Sequence, residues 1–122
     1  MMSRLSSYII LFCKLQINCR LFVFDGNTLN WVERGRGQLR LNDREEGSEN
    51  KMQSRLIIRT KGSLRLMLNA PIWAGMNVER ASDKSVRFTA NDNGQMRVFL
   101  IMVCIYVTYH IIISLCIIKM FN

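Results

Sequence analysis

The chain has 122 residues, with 17 Lys or Arg against 9 Asp or Glu, for a formal charge of +8 and a pI of about 9.9. That length allows one domain with a modest core, and a hydrophobic content of 49% excludes wholesale disorder. The basic excess favours an acidic partner (nucleic acid, anionic lipid or an acidic protein segment) without choosing among them.

Taken in order, Met1 to Asn18 has no assignment. It is not a convincing secretory signal, because the apolar run Tyr8-Ile9-Ile10-Leu11-Phe12 stops at Cys13-Lys14, short of the usual h-region. Arg20 to Phe24 is a compact run of β-formers ended by the turn signal Asp25-Gly26-Asn27. Next comes Trp31-Val32-Glu33-Arg34-Gly35-Arg36-Gly37, too charged for core and too aromatic for plain linker, at the entrance of a second strand reaching Asn42. The two glycines suggest a bulge or a close approach of another backbone. Arg34 and Arg36 are two residues apart, so on an extended chain they project from one face, suited to carboxylates or phosphates on a partner. A solvated strand entrance with Trp31 lying over the barrel end is the competing reading.

Asp43 to Asn50 reads as an exposed acidic loop, Gln53 to Thr60 as a third strand, and Thr60 to Ser63 as a hairpin turn. Leu64 to Asn69 alternates cleanly, with three leucines on one face, and Pro71 ends it because proline cannot donate to a ladder. Asn77 to Arg80 is a short strand, Ser85 to Ala90 a strand with Val86 and Phe88 inward, and Gln95 to Ile101 the last. Seven short strands with closely spaced turn signals make the fold mainly β, an antiparallel sandwich or small barrel.

Val98 to Ile118 then runs 21 residues without a charge, about what a spanning helix needs. If the last strand takes Val98 to Ile101, only 17 residues remain from Met102 to Ile118, followed by Lys119. The tail is expected to be helical. A C-terminal membrane anchor is placed slightly ahead of a helix packed on the barrel, because a packed helix should show a polar face.

Little in the chain looks catalytic. His110, the one histidine, lies within the apolar tail, so no Ser/His/Asp or Cys/His set assembles around it. Gly35-x-Gly37 lacks the third glycine of a dinucleotide loop. Cys13, Cys19, Cys104 and Cys116 show no C-x-x-C spacing and cannot complete a zinc site, so they are read as reduced thiols of an intracellular protein. No enzyme, cofactor or metal is expected. A binding surface is better supported: Arg20 to Arg97 holds 14 basic and 9 acidic residues, and Arg36, Arg40, Arg55, Arg59, Arg65 and Arg87 sit on strands. Arginine there favours bidentate contacts, against the alternative of a merely solvated barrel face. RNA binding ranks lower, for want of the spaced aromatics of an RNA module.

Leu21-Phe22-Val23-Phe24-Asp25, the Trp31 to Gly37 run, Leu39-Arg40-Leu41-Asn42-Asp43, Gln53-Ser54-Arg55-Leu56, Arg59-Thr60 and Gly62-Ser63-Leu64-Arg65-Leu66 follow one another in the order and spacing of the Ran-binding domain. Trp73-Ala74, Ala81-Ser82-Asp83-Lys84-Ser85 and Val98-Phe99-Leu100-Ile101 continue the match, so the chain resembles that family over about Cys19 to Ile101, in the version found in a nuclear-export cofactor. The resemblance implies a pleckstrin-homology-like seven-stranded barrel, normally closed by a C-terminal helix that the apolar tail here replaces. It implies binding to the small GTPase Ran in its GTP form, by a grip on the acidic Ran tail, with an exportin complex as a further partner. It also implies a nuclear and cytoplasmic location, a monomer, and no nucleic acid. Trp31, Glu33, Arg34 and Gly35 form the family's signature contact region. Arg55 and Arg59 match the family's basic strand, and Arg36 and Arg40 join them as expected Ran-binding residues on the ground of charge. The alternative is a membrane-anchored or truncated barrel whose basic face meets anionic lipid.

Overall fold

A computed structural model describes residues 17–46 and 51–121. Seven strands and one helix follow in order: β1 (Ile17–Asp25), β2 (Asn30–Glu46), β3 (Lys51–Thr60), β4 (Leu66–Pro71), β5 (Val78–Ser82), β6 (Ser85–Asp92), β7 (Gln95–Met102) and α1 (Ile105–Phe121). All strand pairs are antiparallel, in the order β4-β3-β2-β1-β7-β6-β5. The sheet coils so that β4 comes against β6 around a common interior, and the expected seven-stranded architecture is found. The unassigned stretch Met1 to Asn18 falls outside the described residues as far as residue 16, and its last two residues open β1. Residues 47–50, from the expected acidic loop, also lie outside them, while the strands on either side run further into that loop than the sequence suggested.

Alternation builds the interior, as a half-buried antiparallel sheet requires. Leu21 and Val23 of β1, Leu39 and Leu41 of β2, Leu56 and Ile58 of β3, Val86, Phe88 and Ala90 of β6, and Phe99 and Ile101 of β7 are buried. Phe88 and Phe99 stack at its centre with centroids 5.6 Å apart. The expected leucine face of β4 is not continuous. A register shift between Ile58 and Arg59 dislocates the alternation, so Leu68 is buried but Leu66 and Leu64 are exposed, with Leu64 at φ 55° in the preceding turn. Pro71, expected to end this strand, is the last residue of β4. On an edge strand its missing N–H leaves no ladder partner unsatisfied.

The tail corrects the membrane expectation. Among the described residues no helix is long and apolar enough to cross a membrane. Instead α1 seats on β5 and β6, burying Ile111, Leu115 and Ile118 in the same core as the strands, with Val103 just before it. Polar ties hold both ends. Val103 N donates to Lys84 O at 2.7 Å, Thr108 Oγ1 to Asp83 O at 2.8 Å, and Lys119 Nζ to Met76 O at 2.6 Å. Arg80 Nη1 donates to the Tyr109 hydroxyl at 2.6 Å. The tail is helical, as expected, and packs on the barrel as its C-terminal helix. Its sequence showed no polar face because its outward stripe is apolar as well: Tyr106, Tyr109, Ile113 and Met120 are exposed.

Candidate functional site

Between Leu21 and Phe22 the pairing of β1 with β2 slips by one residue: Leu21 faces Gly35, Phe22 faces Glu33, and Arg34 is the extra residue. Gly35 takes φ +145°, a conformation side chains rarely adopt, which is how the bulge is accommodated. Two residues on, Gly37 answers the other expectation, close approach. A Cβ there would collide with the backbone carbonyl oxygen of Arg59 on β3.

The bulge changes which residues share a face. Trp31 and Glu33 lie opposite Phe24 and Phe22 on the outer surface, and beyond the bulge Arg36 lies opposite Arg20 on that same surface. Arg34 turns the other way. Its guanidinium lies 5.3 Å from the centroid of the buried Phe99 ring, bonds Asp92 at 2.6 and 3.3 Å, and donates to Met67 O at 3.2 Å. The same-face pairing expected for Arg34 and Arg36 is therefore wrong, because an inserted residue inverts the alternation. Hydrogen bonds from Arg34 hold the Asp92 carboxyl below its ordinary value, helped by the charges of Arg34 and of Arg97 at 3.6 Å.

Outside, Arg20 grips Glu33 with two bonds of 2.8 and 3.1 Å and lies over the Phe22 ring. Those bonds lower the Glu33 carboxyl, and the charges of Arg20 and Arg36 add to the effect. Trp31 meets Phe24 edge-on at 5.3 Å and, with Val98 and Thr89, lines an open groove of about 330 Å³ rimmed by the Glu79–Arg87 ion pair. No local signal marks the pairs Arg20–Glu33, Arg34–Asp92 and Glu79–Arg87, because the partners lie 8 to 58 residues apart.

The remaining expected residues converge. On β2 and β3 the register sets Arg40 opposite Ile57, diagonal to both Arg55 and Arg59, with Arg36 two pleats earlier on the same face. Arg36, Arg40 and Arg59 are exposed and Arg55 is half-buried. Arg55 donates through Nε to Asn69 Oδ1 at 2.6 Å, and Arg59 donates weakly to Leu64 O at 3.4 Å. The carboxylates of Glu33, Glu79, Asp83 and Asp92 are taken up by Arg20, Arg87, Arg80 and Arg34. Ile57 also points outward, yet it is only 9% exposed within this ring of arginines, whose long stems cover apolar surface while their heads stay in water. The face is thus a cationic plate of planar donors. No group of His, Cys, Asp and Glu among the described residues could hold a metal ion.

Relatives carry the same framework. The chain is 55% identical over 89 residues to Ran-binding protein 3 of Mus musculus and 52% identical over 89 residues to Ran-binding protein 3-like of Homo sapiens, covering 71% of this chain in each case. It spans about a fifth of the length of those relatives, 18% and 19%. Its backbone matches the Ran-binding domain of the nuclear complex component Nup2 from Ashbya gossypii with a TM-score of 0.71 at 17% identity, over 87% of this chain and 92% of that one. Residues 10–105, containing the bulge, the tryptophan and the arginine plate, match the family described as RanBP1 domain. With its pleckstrin-homology-like barrel closed by α1, the chain belongs to that family.

Proposed function

We propose that this domain binds the small GTPase Ran in its GTP-bound form, taking the acidic C-terminal tail of Ran along the outer face of β2 and β3, as a binding module of nucleocytoplasmic transport rather than an enzyme. The observation that carries the reading is the plate formed by Arg36, Arg40, Arg55 and Arg59, four guanidinium groups that the register of β2 and β3 brings to one face. An extended acidic peptide laid across it would replace water with charge-assisted hydrogen bonds. Trp31 and Glu33 share that outer surface, which suits a partner touching both the signature run and the plate. Arg34 and Gly35 serve the same site indirectly, by setting the bulge that brings the two together. The wider assembly would be an export complex in which an exportin is joined through Ran.

The test is retention of the domain on immobilised Ran loaded with GTP or GDP, repeated with the acidic tail deleted and across a salt series. The reading expects strong preference for the GTP form and loss of most binding without the tail. Equal, salt-sensitive retention of both nucleotide forms would reduce the plate to generic electrostatics. Binding to anionic vesicles that matched the Ran-GTP signal would favour the lipid alternative.

A further inference from the structure

We propose that the edge of β5 is a docking slot for an extended segment of a partner protein, of the pattern apolar–basic–apolar, which adds a strand to the sheet beside α1. β5 stands last in the sheet order, so among the described residues no strand pairs with its outer side. Thr89 N donates to Asn77 O at 3.1 Å, which fixes the phase of the ladder with β6. Bonded and non-bonded pairs alternate between antiparallel strands, so the next bonded pair is Glu79 with Arg87. Val78 and Arg80 therefore turn their N–H and C=O groups to the edge. A row of such groups is the template that another strand completes.

The surroundings specify the occupant. α1 runs beside β5 in the opposite direction, because Arg80 Nη1 bonds the Tyr109 hydroxyl and Lys119 Nζ bonds Met76 O, both at 2.6 Å. About 15 Å of helix thus flanks about 13 Å of strand. Between the two ties Ile112 and Cys116, both half-buried, share one stripe with the exposed Tyr109 and form an apolar wall. Val78 and Arg80 lie opposite the buried Phe88 and Val86, so their side chains point to the helix side. Residues of an added strand opposite those two would lie against the wall, which favours apolar side chains there. The residue between them falls on the other face, opposite Glu79, whose side chain is 46% accessible and accepts from Arg87 through Oε1. A carboxylate accepts several bonds, so Lys or Arg suits that place. A second copy fits poorly. Antiparallel self-pairing centred on Glu79 or on Arg80 sets like charges directly opposite each other, which is destabilising. Centred on Val78 it needs Met76 O and Met76 N, which are bonded to Lys119 Nζ and Trp73 O.

Panning a random peptide library against the full chain tests the slot. Captured peptides should share an apolar–Lys/Arg–apolar core, which sets them apart from acidic ligands of the arginine plate. Val78→Pro and Arg80→Pro each remove one edge N–H while leaving the bonds to β6 in place. Each should weaken a selected peptide about tenfold or more, with amide protection of β6 retained. Glu79→Lys should switch the central preference of the captured peptides to Asp or Glu. Should a proline variant fail to fold, the charge switch decides alone. Binding that survives both proline variants in folded protein would overturn the proposal. So would a central preference unmoved by Glu79→Lys, or a library yielding no such pattern. A dimer abolished by Arg80→Pro would instead give the edge to a second copy.

Discussion

Arg34 Nη2 lies 2.6 Å from Asp92 Oδ2, a contact between residues 58 apart that fastens the bulged part of β2 to the end of β6 over the edge of the core. The pair is mostly shielded, with 24% and 14% of the two side chains accessible. Removing one partner leaves the other charge half-buried, so Asp92→Asn should cost about 1–3 kcal/mol in urea unfolding. Arg34→Lys should fall in the same direction, because an ammonium cannot reproduce the forked bonds.

The same pair sets an acid response. The Asp92 carboxyl is lowered in the folded state, first by hydrogen bonds from Arg34. Its contribution is therefore fully present above the ordinary value of 3.8 and is lost as pH falls through the lower folded value. Asp92→Asn should flatten the acid limb of the stability profile in that window and leave it unchanged near neutrality in shape. Urea midpoints measured from pH 2.5 to 7 check this.

Gly37→Ala should destabilise by about 2–3 kcal/mol, through overpacking against a backbone atom that cannot rotate away. The added methyl meets Arg59 O, whereas the same change at Gly26 meets nothing within 4 Å and serves as the control. Thermal unfolding of the two variants separates a close approach from a general glycine effect.

Replacing Leu115, fully buried between α1 and the strands, by Ala should cost about 2–5 kcal/mol. Ile113→Ala, on the outward stripe of the same helix, should cost under about 1 kcal/mol in water. Equal small effects would mean that α1 does not close the barrel.

Thiol chemistry distinguishes the cysteines. Burial pushes the Cys19 thiol up to about 12, while Cys104 is exposed. Maleimide labelling at pH 7 should modify Cys104 and spare Cys19 until the protein unfolds, since the thiolate is the reacting form. Rapid labelling of Cys19 under native conditions would contradict its place in the core.

Within the plate, Arg40→Ala should leave the unfolding midpoint within about 0.5 kcal/mol, because its side chain is exposed at the strand surface. Binding to Ran-GTP should weaken about tenfold for loss of a charge-assisted bond, with a shallower salt dependence. Arg34→Ala should instead reduce stability first, which sorts the plate from its scaffold.

What the sequence by itself determined was the strand set and its inward pattern, because side chains on a strand alternate and the turns carry Asp-Gly, Lys-Gly and Asn-Gly signals. It also carried the family, through the spacing of the tryptophan, glycine and arginine runs. Periodicity could not fix which arginines stand together. One inserted residue at Arg34, admitted by Gly35, inverts the alternation, so Trp31 and Glu33 join Arg36 and Arg40 while Arg34 goes to the interior side. Nor could it place α1, whose two stripes are both apolar: only its packing against β5 and β6 decides that Ile111, Leu115 and Ile118 are covered and Ile113 is left outside. Local chemistry specifies elements; the face each side chain presents depends on register and on contacts far along the chain.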